Sequence, residues 1–141
     1  HRWEIPAEKM KMRREHIVPL SSQALAELKS LQLLTGNAVN VFPSPRQLNR
    51  PISDNAVRTA LRSIGLTNQE MCPHGFRAMA RTLLDEVLGV RVDIIEHQLA
   101  HAVRDATGRA YNRTSFLEQR GQMMQDWADY LDQLGALNEN T

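Results

Sequence analysis

His74 and Arg77, in Cys72-Pro73-His74-Gly75-Phe76-Arg77, place an imidazole and a guanidinium three residues apart. A helix that begins just after Pro73 sets both on one face. Such a face can grip a phosphate, because arginine offers a planar fork of donors and histidine offers one more. Downstream, Gly108-Arg109-Ala110-Tyr111-Asn112-Arg113 carries a phenol that could attack a phosphate held there. The three residue types together point to phosphoryl transfer on a nucleic acid without a metal.

Other chemistries find less support. There is no Gly-rich phosphate loop of the Walker type, and the single cysteine, Cys72, rules out a CxxC zinc pair and an internal disulfide. His97-Gln98-Leu99-Ala100-His101 has the i, i+4 histidine spacing of a helical zinc site, but Gln98 stands where a metalloprotease needs glutamate. Tyr130, in Trp127-Ala128-Asp129-Tyr130-Leu131, falls on an apolar stripe and reads as a packing residue. Tyr111 instead follows a helix end and a polar connection, where a side chain can be exposed.

The elements that must position these groups are legible in outline. Trp3–Pro6 and His16–Leu20 read as two short β segments joined by the basic stretch Lys9-Met10-Lys11-Met12-Arg13-Arg14, a hairpin with prolines at its edges. A free strand at the very start suggests a fragment whose upstream partner is missing. Ser21 or Ser22 caps a helix through Ala24, Leu25, Leu28 and Leu31, with Gly36 as its stop. Val39–Phe42 reads as extended and 43–51 as a loop. Ser53 is expected to cap a helix over 56–64, ended by Gly65, with Arg58 and Arg62 on one face. Further helices are expected from Pro73 to Gly89, from Val92 to Leu99, and from Phe116 to near Gly135. The last carries the stripe Phe116, Leu117, Met123, Met124, Trp127, Tyr130, Leu131 and Leu134, read as core or as a self-association surface.

The length suits one domain with a real core. No apolar run is long enough for a membrane span and no secretory signal is evident, so a cytoplasmic location is the simplest expectation. The net charge of +1 conceals an asymmetry: residues 1–81 hold 12 Lys/Arg against 6 Asp/Glu, and residues 82–141 hold 5 against 10. The basic half suits a polyanion, although a solvated surface accounts for it equally well.

Taken together, Lys11, His74-x-x-Arg77, Leu99-Ala100-His101 and Tyr111 resemble the tyrosine recombinase family, and the phage, prophage and genomic-island integrases within it. The resemblance runs over nearly the whole chain and rests on the order and spacing of its motifs. It implies a mainly helical α+β fold, with a small antiparallel β-hairpin on a helical bundle. It also implies that 1–141 is the C-terminal part of a catalytic domain, truncated at its N-terminus. The family pattern has an earlier arginine closely followed by an acidic residue, as well as core-binding and arm-binding domains, and this sequence supplies none of them.

The resemblance assigns roles residue by residue. Tyr111 is the nucleophile, forming a 3′-phosphotyrosyl link and freeing a 5′-hydroxyl, with no ATP, metal or other cofactor. Its phenol, of pKa about 10, must lose a proton on attack, and His74 is suited to assist. Arg77 neutralises charge on the non-bridging oxygens, and His101 donates a hydrogen bond to the phosphate. Lys11 acts as general acid toward the leaving 5′-oxygen, with Lys9 as its rival on the same face of a regular strand. His101 read as a helix C-cap is the structural alternative. Lys9, Arg13, Arg14, Arg46, Arg50, Arg58 and Arg62 are candidate contacts to the DNA backbone. The implied partners are double-stranded attachment sites, further copies of the chain in a synaptic tetramer, and DNA-bending or excision accessory proteins; the implied location is the bacterial nucleoid. A DNA-binding module or excision regulator, a protein-interaction domain, and a type IB topoisomerase are the competing readings.

Overall fold

The computed structural model describes residues 1–101 and 116–139. Its described residues form two strands and five α-helices: β1 (Arg2–Ile5), β2 (His16–Pro19), α1 (Ser22–Thr35), α2 (Ala56–Ser63), α3 (Pro73–Glu86), α4 (Val92–Gln98) and α5 (Leu117–Glu139). The expected mainly helical α+β architecture is therefore the observed one. The chain divides into two compact units, one of residues 1–25 and 81–141 and the other of residues 26–80. Helix α1 leads out of the first unit and α3 leads back into it.

In the first unit, β1 and β2 pair antiparallel, with Trp3 opposite Val18 and Ile5 opposite His16. Between them the chain makes a 3-10 turn, Ala7–Lys9, and a further turn that puts Arg13 at φ 50°. Ser21 is buried and caps α1, its Oγ accepting from the Ala24 N–H at 3.2 Å. The core is built from Leu84 of α3, Ile94 and Ile95 of α4 and Met123 of α5, with Leu88, Val90, Leu99, Phe116, Met124 and Trp127 packed around them. The α5 stripe near Met123 and Trp127 is thus core. Gly89, at φ +63°, turns the chain between α3 and α4.

The second unit has a lean interior. Leu61 is its buried apolar residue among those described, while Leu33, Leu34, Val39, Val41, Phe42 and Leu48 are exposed. The 43–51 loop is closed by a bridge between Pro43 and Pro51 and by the Ile52 N–H donating to the Phe42 carbonyl. Two expectations need correction. Ser53 does not cap α2 through its side chain: Asn55 holds the N-cap position with no side-chain hydrogen bond, and Ser53 contributes its carbonyl to the Ala56 N–H. Helix α5 also runs through Gly135 to Glu139, because a glycine lowers helix propensity without ending a helix that is otherwise well formed.

Candidate active site

In the second unit, His74 and Arg77 fall in the first two turns of α3, as the spacing predicts. Pro73 opens that helix, where its missing N–H costs nothing. The approach is fixed by a capping box: the Glu70 carboxylate accepts from the Thr67 N–H at 2.8 Å and from its hydroxyl at 2.7 Å, and the Glu70 N–H faces the Thr67 hydroxyl at 3.4 Å. Those bonds hold the Glu70 carboxyl below its ordinary value. Next, Arg62 Nη2 donates to the Met71 carbonyl at 2.6 Å. The Arg62 guanidinium is partly buried and ties α2 to the chain entering α3 through Nη2, while its Nε and Nη1 are buried without a hydrogen-bond partner among the described residues, unlike the exposed Arg58 one turn earlier. Arg46, Arg50 and Arg58, the other members of the expected DNA-facing set in this unit, are all exposed. His74 is exposed, Arg77 is half-buried, and the first turn of α3 carries no acidic side chain, which suits an anion at this helix end.

In the first unit, Lys11 lies exposed in the turn that follows the 3-10 segment, and Arg13 and Arg14 are exposed beside it. Lys9 is the last residue of that segment. The chain here is not a regular strand, so Lys9 and Lys11 do not share a strand face and their rivalry cannot be decided by alternation.

His101 is placed by the end of α4. Ala100 adopts the left-handed conformation, φ 55°, its N–H donating to the His97 carbonyl at 3.1 Å while the His101 N–H donates to the Glu96 carbonyl at 3.0 Å. This is a Schellman motif with His101 just past it. The His101 ring also bonds Glu96, Nδ1 to Oε2. Glu96 in turn accepts from Arg81 Nε at 3.1 Å, and Arg81 reaches Asp85 at 3.3 Å. Burial would raise the Glu96 carboxyl, but the hydrogen bonds from His101 and Arg81 outweigh it and hold the group below its ordinary value. With Nδ1 engaged by Glu96, Nε2 is the ring nitrogen left to meet a substrate.

Helix α4 ends at Gln98 and Ala100 is left-handed, so His97 and His101 do not stand on one continuous helix, the arrangement that the i, i+4 zinc spacing assumes. His97 Nδ1 faces Arg120 Nη1 at 3.3 Å.

Arg120 was not anticipated. It is fully buried, and burial lowers its guanidinium to about 10. Nε donates to Gln98 Oε1 at 2.8 Å, and Nη2 donates to the Ile17 carbonyl. The sequence did hold a signal: Arg120 is four residues after Phe116 and three before Met123, so a cation interrupts the apolar stripe of α5. Glu96 and Arg81 gave no comparable signal, since charged residues on short helices are ordinarily solvated. Tyr111 lies outside the described residues.

The comparisons with known proteins bear on the family. A model of the phage integrase family matches residues 1–118, most of the chain. The chain belongs to the phage integrase family. The tyrosine recombinase resemblance is thereby borne out. The chain is 46% identical over 127 residues to prophage integrase IntA of Escherichia coli K12, covering 90% of this chain and 30% of that protein. It is 43% identical over 144 residues to the integrase of enterobacteria phage P4, covering 92% and 33%. It is 38% identical over 130 residues to the integrase of Shigella phage Sf6, again covering 92% and 33%. The chain thus spans about a third of the length of these curated relatives. No solved structure gives a significant match. No described helix is long and apolar enough to cross a membrane.

Proposed function

We propose that the chain is the catalytic part of a site-specific DNA recombinase that integrates and excises a mobile element. The observation that carries this reading is the family match over residues 1–118, which spans every candidate catalytic residue from Lys11 to Tyr111. In the reaction, the Tyr111 oxygen bonds to a DNA phosphorus as the bond to the 5′-oxygen breaks. The phenolic proton passes to a base, for which His74 is suited, and the departing oxygen takes a proton from Lys11. Arg77 and His101 Nε2 stabilise the charge on the phosphate oxygens. The bond energy is kept in the phosphotyrosyl link, so the mechanism calls for neither ATP nor a cofactor. The substrate is a double-stranded attachment site. The same reading takes in assembly with further copies on DNA, accessory bending or excision proteins, and a place on the bacterial nucleoid.

The test is a nicked suicide duplex spanning the junction of the element, incubated with the full-length protein. A covalent protein–DNA adduct that disappears in Tyr111→Phe is expected. An adduct that survives Tyr111→Phe but is lost in Tyr130→Phe overturns the assignment of the nucleophile, and no adduct with the unaltered protein overturns the reaction.

A further inference from the structure

Arg120 presents a physical problem that packing alone does not explain. Arginine is almost never fully buried without a carboxylate, and a hydrophobic residue of similar volume usually serves stability as well or better. The hydrogen-bond partners of Arg120 among the described residues are an amide oxygen, a main-chain carbonyl and an imidazole nitrogen. What a guanidinium does that a methionine cannot is reach several acceptors in fixed directions at once.

Those acceptors lie on two separate segments. Ile17 belongs to β2, the second strand of the hairpin whose connection carries Lys11. His97 and Gln98 are the last two residues of α4, which ends just before His101. A second bond joins the same segments: His16 Nε2 is 3.0 Å from the Gln98 carbonyl. Gln98 is therefore held at both ends, its side-chain oxygen by Arg120 and its main-chain oxygen by the neighbour of Ile17. Because Arg120 can only donate, His97 Nδ1 must accept, which fixes that ring with its proton on Nε2.

We infer that Arg120 is a positioning residue for strand cleavage, clamping the Lys11 hairpin to the end of α4 that carries His101. It touches no reacting atom and acts through the two segments it joins. The inference rests on the reading of Lys11 and His101 as general acid and phosphate donor.

The experiment uses the full-length protein, with Arg120→Met and Lys11→Ala beside the unaltered chain. Adduct formation is timed on an ordinary nicked duplex and on one whose scissile 5′-bridging oxygen is sulfur. In the second, the bond from phosphorus to sulfur breaks and a 5′-thiolate leaves without needing a proton. Arg120→Met is expected to melt close to the unaltered protein and to bind DNA within about twofold of it, yet to form adduct on the oxygen duplex about 10- to 100-fold more slowly. On the sulfur duplex most of that deficit should vanish, as it should for Lys11→Ala. A purely structural residue would instead lower melting temperature and slow both duplexes alike. Cleavage of the oxygen duplex at the unaltered rate, or an equal deficit on both duplexes, overturns the clamp. If Arg120→Met melts early, Arg120→Lys keeps the charge and loses the fork, and it must show the same oxygen-specific deficit. Failure of the unaltered protein to form a Tyr111 adduct overturns the functional reading; a normal unaltered protein with an undisturbed Arg120→Met overturns the clamp alone.

Discussion

Glu96 and His101 meet twice, once through the main chain, where the His101 N–H donates to the Glu96 carbonyl, and once through the side chains, where Nδ1 meets the carboxylate. The first contact fixes where the histidine stands and the second fixes how its ring turns. Glu96→Gln keeps an acceptor but removes the charge that favours the imidazole in this orientation. Adduct formation is expected to slow about tenfold with DNA affinity nearly unchanged. Equal rates for the two proteins would mean that the ring is oriented by something else.

The same carboxylate sets a pH dependence. The Glu96 carboxyl titrates below its ordinary value of 4.5 in the fold. A depressed acid stabilises the fold fully above its unfolded pKa and loses that contribution as pH falls through the folded pKa. Thermal melts of the unaltered protein and Glu96→Gln should therefore differ most at pH 6, by about 1 kcal/mol, and converge as the pH is taken below 4.5 toward the depressed value. A difference that widened on acidification would reverse the sign and refute the assignment.

Ala100 and Gly65 occupy equivalent positions in two Schellman motifs, at φ 55° and φ 92°. At α2, the Leu66 N–H donates to the Leu61 carbonyl and the Gly65 N–H to the Arg62 carbonyl, as His101 and Ala100 do at α4. A side chain in this conformation costs roughly 1 kcal/mol. A Cβ at Gly65 would meet nothing within 4 Å, so Gly65→Ala should cost about that much from the backbone alone. Ala100→Gly should gain about 0.5 kcal/mol after the greater freedom of glycine in the unfolded chain is deducted. Chemical denaturation of both variants measures the two signs, and a destabilising Ala100→Gly would contradict the strain.

These motifs show where the sequence was informative and where it was not. Gly65 and Gly89 could be read as helix ends because glycine is the usual residue at left-handed positions. The end of α4 was legible near Leu99 from the apolar periodicity, but its left-handed turn at Ala100 was not, since alanine favours helix continuation. The His74–Arg77 spacing was legible because Pro73 marks the helix start. The bond from Arg62 to the Met71 carbonyl had no such mark, because a helical face of arginines looks solvent-facing and the partner lies beyond the helix. Partners brought together from distant positions, such as Ile17 and Arg120, have no local signature.

Arg58 and Arg62 therefore make a discriminating pair. Arg58 is exposed, so Arg58→Ala should leave stability within about 0.5 kcal/mol while weakening DNA binding and reducing its salt slope by about one. Arg62→Ala leaves the Met71 carbonyl without its donor and should destabilise by about 1–2 kcal/mol. Its salt slope should match that of the unaltered protein. Binding titrations across salt concentrations, paired with melts, separate the two, and a reduced slope in Arg62→Ala would place it with Arg58 in the DNA-facing set.

Lys9 and Lys11 are both exposed, and the hairpin gives each a different local frame. Lys9 closes the 3-10 segment, where the Lys9 N–H donates to the Pro6 carbonyl at 3.0 Å. Lys11 lies in the next turn, spanned by the Arg13 N–H donating to the Met10 carbonyl at 2.9 Å. A general acid has to reach one oxygen, whereas a backbone contact only has to lie near the polyanion. If Lys11 is the acid, Lys11→Ala should slow cleavage on the order of 100-fold with little change in salt slope. Lys9→Ala should leave the cleavage step within about threefold and lower the slope by about one. The opposite pattern in single-turnover cleavage would assign the proton to Lys9 and place Lys11 among the backbone contacts.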